Sequence, residues 1–264
     1  MTRKERLKRK RRRRFFWRMR QALFGLACFM LVLAVANGLY NLIRFHGATE
    51  AEKQVLKHTR QYPDQLIDLM KENEETQEFV ADYTKYKDKH FKIILSSDYK
   101  KGEIPYFLQW DKRWGYETYD GNYFAITGSA PTCLSMVSVG LSGDLNANPL
   151  AIGQYIEDNH YLTSDHKTDL TFMTEGAEYF DIAGKKLSAD QTKMKQALES
   201  GKPLIAQVGS GDFTKEEHFI VIYDMDKQGN FLVYDPNSTS NSKKSWSFKT
   251  LQPQIKNVWC YTLL

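Results

Sequence analysis

Cysteine is scarce in this chain: Cys28, Cys133 and Cys260 are the whole supply in 264 residues. Cys28 falls inside an apolar run and reads as one more buried apolar residue. Two cysteines in a body of about 220 residues exclude a disulfide framework. Stability must come from an ordinary apolar core, and the chain is long enough to build one. Metal-ligand spacing is missing too: His46, His58, His90, His160 and His166 form no recognisable set, and no metal or cofactor is expected. There is no glycine-rich phosphate loop and no serine nucleophile elbow. No long repeat occurs, and no low-complexity segment beyond the first residues.

Charge is what the N-terminus has in excess. Residues 1–20 hold twelve Lys or Arg against one acid, Glu5, a net charge of +11. The remainder carries 25 basic and 31 acidic residues, a net of −6, so a basic tail precedes an acidic body. A basic run of this density could suit nucleic acid, but the next segment decides against that partner. Residues 21–43 are almost wholly apolar and uncharged. At about 1.5 Å per residue this run spans roughly 34 Å, enough for a bilayer core of about 30 Å. Positive charge at one end places that end in the cytoplasm. The expectation is a single-pass anchor in the cell membrane, N-terminus inside, with the remainder extracytoplasmic. A signal peptide cleaved after Ala36 is the rival, since Ala34-Val35-Ala36 has the small-residue spacing of a cleavage site. The apolar run continues past it through Leu39, Tyr40, Leu42 and Ile43, which favours an uncleaved anchor.

Four parts follow: a basic tail (1–20), an anchor helix (21–43), a helical stalk or preface (44–101) and a compact domain (102–264). In the preface, Leu66, Ile67, Leu69 and Met70, then Phe79, Val80 and Tyr83, predict two short amphipathic helices after a break at Pro63. The first half of the domain reads as helices. One has Pro131 in its first turn and ends near Gly140 and Gly143; one opens at Pro149 and reaches about Asn159; one covers 168–180. A fourth is capped by Ser188 with Gln191 and closed by Gly201 and Pro203. The second half reads as strands over 204–208, 218–223, 231–234, 245–248 and 258–261, with a turn at 227–230. Helices first and antiparallel strands second give an α+β domain.

Residue 129 sits just before the Pro131 helix, where exposed backbone N–H groups favour an anion. A thiolate there would have a lowered pKa and could be served by a histidine. The residue is Ser129, and the nearest cysteine, Cys133, lies one turn inside the helix. A hairpin centred near 227–228 sets residue 235 opposite residue 220. Asp235 then becomes a diagonal neighbour of His218 at roughly 7–8 Å, within side-chain reach. Such a bond would fix the imidazole tautomer and aim its other nitrogen at a nucleophile. A register shift of one residue would break the pair. Spacing alone leaves blander readings open: a structural histidine at a strand start, an Asp-Pro-Asn-Ser turn, and Gln109 as a surface or capping residue beside Trp110.

From about Gly102 to the C-terminus the chain resembles the papain-like cysteine peptidase family thirty-nine, in particular its stand-alone extracytoplasmic members from Gram-positive bacteria. The resemblance is carried by Ile104-Pro-Tyr-Phe-Leu-Gln-Trp-Asp-Lys-Arg-Trp114-Gly-Tyr116, Pro131-Thr-Cys-Leu-Ser-Met-Val137, Gly140-Leu-Ser-Gly-Asp144, Gly211-Asp-Phe-Thr214, His218-Phe-Ile-Val-Ile222, Asp235-Pro-Asn-Ser238 and Trp259-Cys-Tyr261. Residues 61–87 resemble the helical preface of such proteins. The resemblance implies a papain-like fold, with Gln109 as oxyanion donor, His218 as base and Asp235 as third member. It puts Ser129 where the family's nucleophilic cysteine belongs, and Cys133 where cysteine is one option among several. The best-known members cut after a double-glycine leader and are fused to transporters; no transporter segment is seen here, so that substrate does not carry over. Three readings compete: an inactive or peptide-binding variant, a serine-using hydrolase, and Cys133 as a substitute nucleophile. The partner implied is a peptide or protein at the cell surface.

Overall fold

The computed structural model describes residues 3–264. Met1 and Thr2, and the side chains of residues 5, 6, 7, 42 and 44, lie outside the described residues; they belong to the expected tail, the anchor and the start of the preface. The chain divides into two compact units, Met1–Lys53 and Gln54–Leu264. In the first, α1 (Arg3–Arg44) carries the basic run and the apolar run on one continuous helix. Within Lys8–Asn41 an 18-residue stretch has a mean hydropathy of 2.2, and none of it is buried. Leu23, Phe24, Phe29, Leu31 and Val32 all face outward. A helix this long and apolar, with no protein covering it, suits a membrane anchor or a signal sequence.

Helix α2 (Glu50–Lys57) leads to α3 (Asp64–Glu72), α4 (Gln77–Ala81) and α5 (Tyr83–Tyr86). Pro63 precedes α3 in extended conformation, because its ring fixes φ and suits the helix entrance. Of the predicted apolar positions, Leu66, Ile67, Leu69, Met70, Phe79 and Val80 are buried, and Tyr83 is half-buried. Phe79 stacks on Tyr116 at 4.2 Å between centroids, and Tyr116 donates from its hydroxyl to the Phe79 carbonyl at 2.6 Å. The segment from Gln54 thus belongs to the second compact unit.

A two-stranded ribbon, β1 (Thr118–Tyr119) and β2 (Asn122–Tyr123), precedes the short α6 (Phe124–Thr127) and the central α7 (Ser129–Ser142). α7 is buried from Ser129 to Val139 and ends at Gly143 in the left-handed region, the expected glycine stop. α8 (Pro149–Asp158) is capped by Asn148, whose side chain accepts from the Ala151 N–H. The helix predicted over 168–180 is instead two 3₁₀ turns, Leu170–Met173 and Gly176–Phe180. Asp169 caps the first, and Thr174 with Gly176, poor helix formers, interrupt the run. The cap of α9 (Gln191–Glu199) is Asp190 rather than Ser188: the Asp190 carboxylate accepts from the Lys193 N–H.

Six antiparallel strands form the main sheet in the order β3-β8-β4-β5-β6-β7. They are β3 (Ile182–Leu187), β4 (Leu204–Val208), β5 (His218–Met225), β6 (Phe231–Tyr234), β7 (Ser245–Trp246) and β8 (Ile255–Leu263). Alternation splits the strands between two faces. Ile205, Phe219, Val221, Trp259 and Tyr261 join the core formed with α7. Leu204, Ala206, Val208, Ile220 and Ile222 pack with Met194 and Leu198 of α9. β3 has no apolar alternation to announce it; it pairs along β8 from Ile182↔Leu263 to Leu187↔Val258. A Cβ at Gly184 would meet the Met173 carbonyl at 2.0 Å, so only glycine fits this strand centre. The strand predicted over 245–248 stops at Trp246, because the Ser247 hydroxyl caps a last turn with β7 behind it, α11 (Phe248–Leu251). Before α11, α10 (Thr239–Ser242) follows the end of β6.

Candidate active site

Ser129 is the first residue of α7, so its side chain stands at the end of a fourteen-residue helix where free N–H groups concentrate positive potential. Gly128 makes this entrance possible: a Cβ there would lie 2.4 Å from the Phe124 ring. Thr132 donates its hydroxyl back to the Gly128 carbonyl at 2.6 Å, fixing the first turn. Among the described residues the Ser129 hydroxyl has no hydrogen-bond partner, although the residue is only 8% exposed.

His218 opens β5 across from Val208 of β4. Val221 pairs with Tyr234, so the next residue, Asp235, comes across from Ile220 and diagonal to His218. The ladder shifts by one between Ile222 and Asp224, nearer the turn and clear of the pair. His218 Nε2 and Asp235 Oδ1 are 2.8 Å apart, with Asp235 fully buried. A carboxylate at this nitrogen holds the proton on Nε2 and leaves Nδ1 as the nitrogen free to accept.

Asp235 is itself held from several sides. Its Oδ1 also accepts from the Asn237 N–H at 2.8 Å, and its Oδ2 accepts from Asn241 Nδ2 at 2.9 Å. Its N–H donates to the Ser242 hydroxyl, and its carbonyl accepts from the Tyr106 hydroxyl at 2.8 Å. The loop beyond it is tied to the preface. Asn73 Nδ2 donates to the Asn237 carbonyl at 2.6 Å, and Trp110 Nε1 donates to the same oxygen at 3.1 Å. Glu75 accepts from the Ser238 hydroxyl, the Thr239 N–H and hydroxyl, and the Ser240 N–H. Partial burial alone would raise the Glu75 pKa, but the donors from Thr239, Ser240 and Ser238 outweigh it and hold the carboxyl at about 2.

Gln109 is 2% exposed, and its backbone N–H donates to the Pro236 carbonyl at 2.8 Å. Its Nε2 donates to the carbonyls of Ala125 at 2.8 Å and Ile126 at 3.3 Å, while Oε1 is buried without a partner. The donor an oxyanion would need is therefore engaged elsewhere in this conformation. An unmatched buried oxygen costs about 1–3 kcal/mol. Cys133 has no exposed surface, and burial first, then the charge of Asp235, push its thiol pKa well up.

Two cavities meet at His218. One of about 420 Å³ is lined by Leu69, Asn73, Gln109, Asp212, His218 and Asn237 among others. The second, about 360 Å³, includes Ser129, Ala130, His218 and Phe219. The structure thus brings Ser129, His218, Asp235 and Gln109 to one region and leaves Cys133 in the core. Asn73, Glu75, Tyr106 and Asn241 were not singled out from sequence. Ser238 caps Asn241 in a short S-x-x-N turn, which is a readable local signal. Asn73 and Glu75 reach the loop across more than 160 residues, and no local pattern marks them.

A search of curated proteins returns no match. Among solved structures, one from Bacillus anthracis described as a C39-like peptidase superposes with a TM-score of 0.39 at 11% identity, over 62% of this chain and 96% of that one. The sequence profile of the Peptidase_C39 like family matches residues 101–262. That match covers more than half of the protein, and the chain belongs to the Peptidase_C39-like family.

Proposed function

We propose that this is a membrane-anchored, extracytoplasmic peptidase-like protein that binds peptides and does not cleave them. The observation that carries the reading is the state of residue 129: a serine at the head of α7, in one cavity with His218, with its hydroxyl unengaged. A thiol at a helix N-terminus beside an imidazole ionises readily and attacks as the thiolate. A hydroxyl ionises far less readily and needs its proton taken within a hydrogen bond to the base. Cys133 is a poor substitute, because a buried thiol of raised pKa is neither ionised nor reachable.

A serine-using hydrolase is the second reading, and the His218–Asp235 bond at 2.8 Å favours it. The two readings separate in a hydrolysis assay of the full chain in detergent with a peptide library. No cleavage is expected from the unmodified protein, while turnover abolished by Ser129→Ala would establish the hydrolase.

The anchor reading rests on the basic run and the apolar run sharing α1. With the positive end inside, protease added to intact cells should remove the domain and spare the tail. A domain digested only after lysis would reverse the topology, and a mature chain beginning after Ala36 would make the segment a signal peptide.

A further inference from the structure

The torsion about the last bond of an aspartate side chain is broad and roughly two-fold, so the Asp235 backbone does not by itself set the plane of its oxygens. Hydrogen bonds set it: His218 Nε2 and the Asn237 N–H at Oδ1, and Asn241 Nδ2 at Oδ2. Two of these three donors belong to the segment that follows Asp235, so the carboxylate is held only as firmly as that segment is. Asn241 sits on α10, a helix of four residues. A single turn gains too few hydrogen bonds to hold itself in water, so its place depends on what grips it.

The grip comes from one turn of the preface, by two arms. Glu75 takes the donors at the head of α10: Oε1 accepts from the Ser238 hydroxyl at 2.8 Å and the Ser240 N–H at 3.0 Å, and Oε2 from the Thr239 N–H at 2.8 Å. The Ser238 oxygen in turn accepts from the Asn241 N–H at 3.2 Å, and the Asn241 side chain reaches Asp235 Oδ2. Asn73 forms the other arm, since its Nδ2 donates to the Asn237 carbonyl and the Asn237 N–H donates to Asp235 Oδ1. The arms share a root: Asn73 Oδ1 accepts from the Glu75 N–H at 3.0 Å. That root is pinned by Thr76, wholly buried, whose hydroxyl donates to the Asn73 carbonyl at 2.7 Å.

We propose that Asn73 and Glu75 are positioning residues of this site: the preface turn sets the plane of the Asp235 carboxylate, one arm to each oxygen, and through it the His218 ring. The proposal rests on the reading of the cleft as a peptidase-like site and adds what governs its geometry. Both residues act through Asp235, and a preface that let go of the loop would leave His218 without a fixed partner.

The test reads the imidazole directly. In the full chain in neutral detergent, carrying isotope-labelled histidine, NMR follows exchange of the His218 Nε2 proton with water, the signal being assigned by its loss in His218→Ala. Exchange should quicken at least about tenfold in Glu75→Gln and in Asn73→Ala, because either change lets the carboxylate swing away. Ser238→Ala cuts the first arm one bond nearer Asp235 and should act in the same direction, which keeps the test open if Glu75→Gln does not fold. Tyr116→Phe removes a preface hydrogen bond that leads to the Phe79 carbonyl and not to Asp235, and should leave exchange within about twofold. Unchanged exchange in the Glu75 and Asn73 variants would overturn the proposal. Equal quickening by Tyr116→Phe would overturn it too, since the effect would then be a general loosening of the preface. Alkylation by iodoacetamide of chains carrying Ser129→Cys separates this claim from the reading of the site. Fast alkylation, with exchange that neither preface variant alters, leaves the site standing and overturns the positioning role. Slow alkylation, with exchange that both variants quicken, upholds the positioning role and removes the peptidase-like centre.

Discussion

The two sides of the candidate centre are held very differently. On the His218 side, Asp235 accepts from the imidazole, a backbone N–H and an asparagine side chain, and the following loop is bound to Asn73, Trp110 and Glu75. On the Ser129 side the backbone is fixed by Gly128 and Thr132, but the side chain ends in a hydroxyl with no hydrogen-bond partner among the described residues. The His218 side is over-determined and the Ser129 side is fixed in backbone only. A fold that keeps the costly half of such a site, a buried carboxylate with its network, retains a shaped polar cleft whether or not chemistry follows.

The contrast breaks most sharply if the imidazole is removed. In a chain carrying Ser129→Cys, the further change His218→Ala should slow thiol alkylation about 100-fold near neutral pH, because the imidazole shares the cavity of residue 129 and can take the thiol proton. Asp235→Asn in the same background should slow it less, about tenfold. The amide keeps the shape but loses the charge that favours the imidazolium. An unchanged rate in either case would mean that the pair does not serve residue 129.

Glu75 tests how far the His218 side depends on the preface. Glu75→Gln should cost about 1–2 kcal/mol, the scale of charge-assisted bonds screened by solvent at a partly exposed group. Its folded pKa of about 2 lies below the ordinary 4.5, so this stabilisation is complete above about pH 4.5 and is lost as pH falls toward 2. Acid titration of the unmodified protein should show the loss, and the Gln variant should lack that part of it. Thermal melts at pH 7 and pH 3 would check both. The smallest effect is expected at Cys133: Cys133→Ala should change thiol labelling of the folded protein less than about twofold, since a buried thiol contributes little to it.

Legibility in the sequence followed the same divide. The α+β layout, α7 with its glycine stop, the preface helices and the β5–β6 register could be read, because each rests on periodicity, caps or a turn close in sequence. The register mattered most: a hairpin centred near 227–228 set Asp235 against Ile220, and the bulge fell where it did not disturb the pair. Strand β3 could not be read, since Gly184, Lys185 and Lys186 carry no apolar alternation and their pairing is with residues some 75 positions later. The segment 168–180 is two 3₁₀ turns rather than the single helix expected, because Thr174 and Gly176 interrupt it. The Glu75 and Asn73 ties were invisible for the same reason as β3: both partners are polar, distant and individually ordinary.

The central claim is that the helix terminus and the His218–Asp235 pair are positioned to serve a thiol at residue 129, where this chain has a hydroxyl. Its most direct test is the pH dependence of iodoacetamide alkylation for the unmodified protein and the Ser129→Cys variant, both full length in detergent. The account predicts slow labelling of the unmodified chain and fast labelling of the variant. The introduced thiol should titrate well below the ordinary thiol pKa of about 8.5. Equally slow labelling of both would contradict it, as would fast labelling of the unmodified chain at Cys133.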